Sequence, residues 1–387
     1  MTKKNYLEKL SKTKKPFIVY KTVKGFDLYT NFSKKIILTN KNIHNFIGKI
    51  KIKKKRSKNT DLYIGFFGYE ILNNLVGIKL PKQKGLKFPK GIFYKPERKL
   101  SLTNELHYRN KDSIDLNNKF KINMNKKLYN KVFYKFKKKI KSGQTYQIKI
   151  CTKYRNKSKI DPIDFFSRLS KTNLAPEAFL IRDKKFSIIS CSPENLITKK
   201  GNLISTKPIA GTLKKTKKLN KIKALNFFKN NTKESKEHNM IVDMERSDLS
   251  KICKPGSVKI KKKKIVEEYK DLFHYVSLIS GILKKDTSTL EIIKAMMPGG
   301  SVIGCPKIST LNLLNTQEKE NRNIYTGSFG YIKFNGDMRF NIIIRAILNY
   351  KRYSEISVAS GVVIDSNSSH EFNENYIKAK ALMDLYK

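Results

Sequence analysis

The sequence predicts an α+β protein in which large antiparallel β-sheets pack face to face, with helices on the outside. Three observations carry this. Short β-rich runs recur along the chain, separated by Pro, Gly and charged turns. Helical periodicity is confined to a few segments set between groups of strands. Apolar residues make up 39% of the 387, enough for a core despite a heavy load of charge.

Taken in order, "PFIVYKTV" and "KKIILT" read as strands of a β-rich N-terminal region over residues 1–115 that packs on the core. "LYIGFFGYEIL" (62–72) is apolar with two glycines, the mark of a strand closely approached by another backbone. Residues 89–118, with two prolines, read as a surface crossing into a second region over 120–387. There "LYNKVFYKFKKKIKSG" (128–143) has helical spacing and a glycine stop. "TYQIKICTKY" alternates as a strand, and "DPIDFFSRLSKT" opens a helix with Asp161 as N-cap. "AFLIRD", "KFSIISCS", "NLITKK" and "NLISTKP" are strands, followed by a long helix over about 232–248. "GSFGYIKF", "NIIIRAILNY" and "EISVASGVVID" complete the strands. A last helix starts near His370, with Phe372, Tyr376, Ala379, Met383 and Tyr386 on one apolar face.

The net charge is +52, from 83 Lys and Arg against 31 Asp and Glu. The basic residues are spread along the whole chain without a nucleic-acid-binding fold signature, which reads as lysine accumulated at tolerant surface positions. No nucleic-acid partner is expected, although such a field draws small anions. Cys151, Cys191, Cys253 and Cys305 are far apart with no CxxC pair, so zinc is not expected. No apolar run reaches the length of a membrane span, and the first residues lack a signal-peptide core; a cytoplasmic location without membrane contact is expected.

Acids are scarce, which makes their spacing informative. Glu234 and Glu237 are three apart on one helix and share a face; Glu371 and Glu374 repeat the spacing on the last helix. Each pair alone reads as solvent-facing charge, but two pairs from two elements also suit a hard dication, which takes oxygen ligands. "PGGSVIGCPK" (298–307) is either a tight loop or an anion-binding nest using Ser301 and Lys307. Arg345, inside the apolar "NIIIRAIL", needs a partner, and a substrate carboxylate would serve. His274 in "DLFHYVSLISG" is either a satisfied core histidine or a catalytic one.

These blocks together resemble the chorismate-utilising enzymes: component I of anthranilate and aminodeoxychorismate synthases, and the isochorismate and salicylate synthases. The matching stretches run in the family's order over about 140–387: "SGQTYQIKI", "SPENLI", "STKPIAGT", "KESKEHNMIVDMERSDLSKICKPGSV", "FHYVS", "PGGSVIGCPK", "GSFGY", "IIIRAIL" and "SGVVIDSNSSHEFNENYIKAKA". The resemblance implies a chorismate-binding catalytic domain over 120–387 that uses Mg²⁺. Glu237 and Glu374 match the metal ligands, with Glu234 and Glu371 as supporting acids. His274 matches the histidine facing the leaving hydroxyl. Arg345 and Tyr331 match residues gripping the enolpyruvyl carboxylate, and Lys378 with Gly361 the ring-carboxylate side. Glu194 and Thr212 match pocket residues near the reacting ring carbons.

Two positions bear on which member the chain resembles. Hydroxylating members have a lysine base at the position of Gln147, and a neutral amide cannot take that role. Gln147 therefore implies ammonia as nucleophile. Ala210 stands where aminodeoxychorismate synthases typically have a lysine able to attack the ring, whereas anthranilate synthases have alanine there, so Ala210 alone points to anthranilate. "TYQ" and "PGGSVIGCPK" lean to the aminodeoxychorismate branch, and no "LLES" segment is present. The resemblance thus implies an aminodeoxychorismate synthase component I, with anthranilate synthase component I as the alternative, supplied with ammonia by a separate glutamine amidotransferase subunit. Ile303, Ala359, Ser247 and Arg339 depart from the family's usual residues.

Overall fold

The computed structural model describes residues 10–13, 15–50, 58–81, 84–102, 108, 117–172, 175–216, 218–269 and 272–387. Among these, every strand pairing is antiparallel, and the pairings join into one long circuit. It runs from Gln147–Lys157 through Tyr353–Val362, Ala346–Tyr350, Phe186–Ser192 and Glu177–Arg182 to Phe17–Thr22. From there it passes through Gly25–Ile37, Gly91–Leu102, Leu62–Phe67, Ser328–Lys333 and Met338–Ile342. It ends through Asn195–Lys200 and Leu203–Lys207 on Leu272–Ile282, which also carries Ile209–Lys214 and Lys259–Glu268.

The two halves of this circuit face each other across a core that includes Ile18, Tyr20, Ile64, Phe66, Phe179, Ile188 and Phe329. Helices cover the outer faces: Pro162–Thr172 and Ser368–Met383 on one, Ile43–Gly48, Thr232–Ile252 and Thr289–Met296 on the other. This is the predicted α+β arrangement, because each sheet buries one apolar face against its partner and the other under helices. No helix of the described residues is long and apolar enough to cross a membrane. The cysteines are free, three of them buried.

Local signals held where they were local. Asn125 caps Lys126–Lys141 through Leu128 N–H, and Gly143 follows in the left-handed region at φ 72°. Asp161 Oδ1 accepts from Ile163 N–H at 2.9 Å, starting the next helix as expected. Gly65 lies so close to the Ile92 backbone that no side chain fits there.

Four expectations are corrected. "LYIGFFGYEIL" is a strand, Leu62–Phe67, and then a helix, Tyr69–Leu75. Residues 89–118 contain a twelve-residue strand, Gly91–Leu102, rather than a surface crossing; 103–107 and 109–116 lie outside the described residues. "NIIIRAILNY" is two strands broken at Arg345, whose φ is 48°. The last helix buries Ser368, Glu371, Asn375, Ala379 and Leu382, while Tyr376 is exposed, so its inner face is rotated from the aromatic stripe. The lysine run at 49–58 lies mostly outside the described residues.

Candidate active site

The site grows from one strand. In Gln147–Lys157, residues 147 and 149 point to the same face by the strand's two-residue period. That face meets the first turns of Thr232–Ile252, where Glu237 lies. Glu237 Oε1 accepts from Gln147 Nε2 at 2.8 Å and from the Lys149 ammonium at 2.9 Å. Lys149 holds the Glu237 carboxyl down at about 2, with the Gln147 amide adding to it. Burial opposes charge on Lys149, but Glu237 outweighs it and raises the ammonium's pKa; Glu374 and Glu371 act in the same direction.

The second acid pair comes from Ser368–Met383, whose first turn is capped by Asn367. Glu371 is 1% exposed and accepts from Ser366 Oγ at 3.0 Å. Glu374 pairs with Lys378 one turn on, at 2.5 Å. Burial works against the Glu374 charge, yet Lys378 and Lys149 together hold its carboxyl below the usual range. Among the described residues, the donors close enough together to share one ion are His370, Glu371 and Glu374, within 4.8 Å of one another. Glu237 stands outside that group, paired with Lys149, and Glu234 lies over Gly211.

Gly361 closes this face. It is the register partner of Lys149, and a Cβ on it would sit 2.6 Å from Lys149 Nζ and 2.9 Å from Gln147 Nε2. Lys378 Nζ donates to Ala359 O two residues earlier, at 3.0 Å. The 300–305 segment packs on the same strand, with Lys149 N–H donating to Ile303 O at 3.0 Å. Lys307 is turned inward onto Asp248 and Ala295 O, so it does not serve an anion nest.

A second cluster lies around His274. Its strand pairs it through the backbone with Thr212 and with Glu267. Burial first, and then the charge of Arg345, push the imidazole down to about 4, so it is neutral near pH 7. The Tyr269 ring stands edge-on to it at 5.1 Å. A left-handed turn at Arg345 breaks the strand run, and the charge of its guanidinium acts on His274. Glu194, 5% exposed, is pushed up to about 7 by burial, partly offset by the nearby Ser301 hydroxyl and Lys149. Ala210 is buried against Ile241 and Met244.

The structure thus brings Gln147, Glu237, Glu371, Glu374, Gly361 and Lys378 to one face, ties Glu194 to it through Lys149, and sets His274 beside Arg345 and Thr212. It does not bring Tyr331 to the acid-bearing face, although Tyr331 lines one cavity with Tyr269 of the second cluster. The Tyr331 ring contacts Tyr20 and lines a cavity of about 570 Å³ shared with Lys21, Lys99, Lys200 and Lys333. Tyr325, six residues earlier, is the tyrosine beside the site: it is buried, and the Ala359 backbone hydrogen-bonds its hydroxyl. Lys149 and Tyr325 were missed by sequence reasoning. The alternation of "TYQIKICTKY" placed Lys149 on the Gln147 face; nothing local marked Tyr325. Arg339, an odd residue by comparison with the family, is paired with the buried Glu177.

Comparison with known proteins extends this picture. The chain is 36% identical over 249 residues to aminodeoxychorismate synthase component 1 of Bacillus subtilis, covering 64% of this chain and 53% of that protein. It is 34% identical over 260 residues to anthranilate synthase component 1 of Saccharolobus solfataricus, covering 67% and 62%. The chain therefore spans between about half and three fifths of the length of these relatives. Anthranilate synthase component I from Streptococcus pneumoniae has the same fold, with a TM-score of 0.77 at 23% identity over 95% of this chain and 92% of that one. Menaquinone-specific isochorismate synthase from Escherichia coli matches at a TM-score of 0.77 and 14% identity, over 98% and 90%. The family model described as chorismate binding enzyme matches residues 6–384, nearly the whole chain, and the protein belongs to that family.

Proposed function

We propose that this chain aminates chorismate with ammonia as component I of an aminodeoxychorismate synthase, on the route to para-aminobenzoate and folate. A separate glutamine amidotransferase subunit supplies the ammonia. The observation that carries the reading is the Gln147 amide held on Glu237: the position of a water-activating base is filled by a group that cannot take up a proton. Lys149 beside it does not replace that base, because Glu237 keeps it an ammonium.

The donor set fits a hard dication. Carboxylates from two helices act on the same Lys149 ammonium, and oxygen ligands with an anionic substrate are what Mg²⁺ prefers. Glu237 and Glu374 would hold it, with Glu371 and Glu234 behind them. A bound Mg²⁺ would offset the ring carboxylate's charge and favour departure of the C4 hydroxyl. Arg345 would take the enolpyruvyl carboxylate, and Lys378 with Gly361 would border the ring carboxylate. A carboxylate on Arg345 would also relieve the positive charge that depresses His274, making that imidazole a better proton donor to the leaving hydroxyl. Glu194 and Thr212 would border the reacting ring carbons.

A second reading, amination at C2 to give anthranilate and pyruvate for tryptophan synthesis, is favoured by Ala210. Buried against Ile241 and Met244, it offers the ring no amine nucleophile. One experiment separates the two. Purified protein is given chorismate, Mg²⁺ and ammonium, and products are resolved by chromatography with and without a lyase for aminodeoxychorismate. A product that becomes para-aminobenzoate only with the lyase supports the first reading; anthranilate without it supports the second; isochorismate overturns both.

A further inference from the structure

We propose that Lys149 is an internal cation that competes with the divalent ion: the ammonium must leave Glu237 before an ion can bridge the two acid-bearing helices. This rests on the dication reading above.

The geometry is specific. Lys149 Nζ is 2.9 Å from Glu237 Oε1, and its side chain is only 14% exposed. The charges of Glu237, Glu374 and Glu371 all act on it, with Glu237 the one it touches. The three donors already grouped, His370, Glu371 and Glu374, do not include Glu237. An ion that takes Glu237 as a ligand must therefore displace the ammonium that this carboxylate already holds. A single charge and a double charge cannot share that space in a half-buried pocket, because their repulsion acts at short range and weak screening. Lysine suits a yielding occupant: its charge is a point on a flexible four-carbon stem, held here by one carboxylate oxygen. The missing Gly361 side chain is what lets the stem lie along this path to Glu237.

Calorimetric titration with Mn²⁺ alone, without substrate, tests this on the full chain. Lys149→Met should bind Mn²⁺ at least tenfold more tightly than the unaltered protein. Lys131→Met, on the exposed side of Lys126–Lys141, controls for the change in net charge and should bind as the unaltered protein does. A second measurement needs no variant: acylation of lysines followed by mass spectrometry, with and without Mn²⁺. Displacement should raise labelling of Lys149 several-fold while other lysines stay constant. Equal or weaker Mn²⁺ binding by Lys149→Met, or Lys149 labelling unchanged or lowered by Mn²⁺, overturns the competition alone. Absence of Mn²⁺ binding in both proteins overturns the dication reading and the competition with it.

Discussion

Lys149 and Gly361 stand opposite each other in neighbouring antiparallel strands, and the ammonium of the one reaches Glu237 past the bare backbone of the other. The pair explains why a glycine sits near the end of its strand: the flexible ends of Lys149 and Gln147 occupy the space a side chain would take.

Gly361→Ala is therefore a mutation of the site more than of the fold. The added methyl meets side-chain ends that can swing, so stability should change by no more than about 1 kcal/mol. Displacing two groups that orient Glu237 should lower kcat/KM by about 10- to 100-fold. Thermal melts and steady-state kinetics on the same preparation check both halves; full activity would show that this face does not handle substrate.

Glu237→Gln and Glu374→Gln each remove one proposed charged ligand. Turnover should fall by about 100-fold or more at ordinary Mg²⁺ while far-UV circular dichroism stays unchanged. Undiminished activity in either variant would rule that residue out as a ligand.

Ammonium at high concentration should support turnover by the chain alone, whereas glutamine should do so only once a separate amidotransferase is added. The free cysteines are buried or partly so, and burial pushes the Cys151 and Cys191 thiols up to about 12, unsuited to attack on glutamine. Glutamate release from glutamine by the isolated chain would refute this.

Ala210→Lys should place an amine beside the ring and shift amination toward C4. Unmodified Ala210 should leave no covalent adduct visible by mass spectrometry during turnover. An active variant with the original product ratio would make position 210 a wall of the pocket and nothing more.

The contribution of Glu245 to stability should fall as pH rises. Burial pushes the Glu245 carboxyl up to about 8 from its ordinary 4.5, and Asp248 adds to this. The folded protein thus holds a proton the unfolded chain releases, so the stabilisation is whole below about 4.5 and lost as pH climbs through about 8. Glu245→Gln should flatten this slope and stabilise the protein near pH 8 by on the order of 2–3 kcal/mol. Denaturant midpoints across that range provide the measurement; an unchanged slope would show that Glu245 ionises freely.

What the sequence made legible was what neighbours along the chain decide. Asp161 caps its helix because the groups it satisfies are two and three residues away. The acid pairs share faces because helical spacing requires it. What stayed hidden depends on distant contacts. Arg345 adopts a left-handed backbone inside a run that looks like one strand, with no glycine or proline beside it to announce the break. The inner face of the last helix escaped the apolar pattern because polar groups line it: Glu371 is met by Ser366, and Asn375 donates to Ile150 O. "KIKKKKIVEE" carries too many lysines to read as a strand, yet it pairs along Leu272–Ile282 at the sheet's edge, where lysines belong.

The pairing of Gln147–Lys157 with Tyr353–Val362 has a bearing on how a newly made chain acquires its chemistry. During synthesis, the strand bearing Gln147 and Lys149 emerges about two hundred residues before the strand that flanks it and the helix that brings Glu374. Until then its polar row has no acidic helix to complete the pocket, and its edge is open to pairing with other chains. A nascent polypeptide stalled before residue 353 should therefore be inert toward substrate and prone to aggregate, and competence should arrive late and all at once.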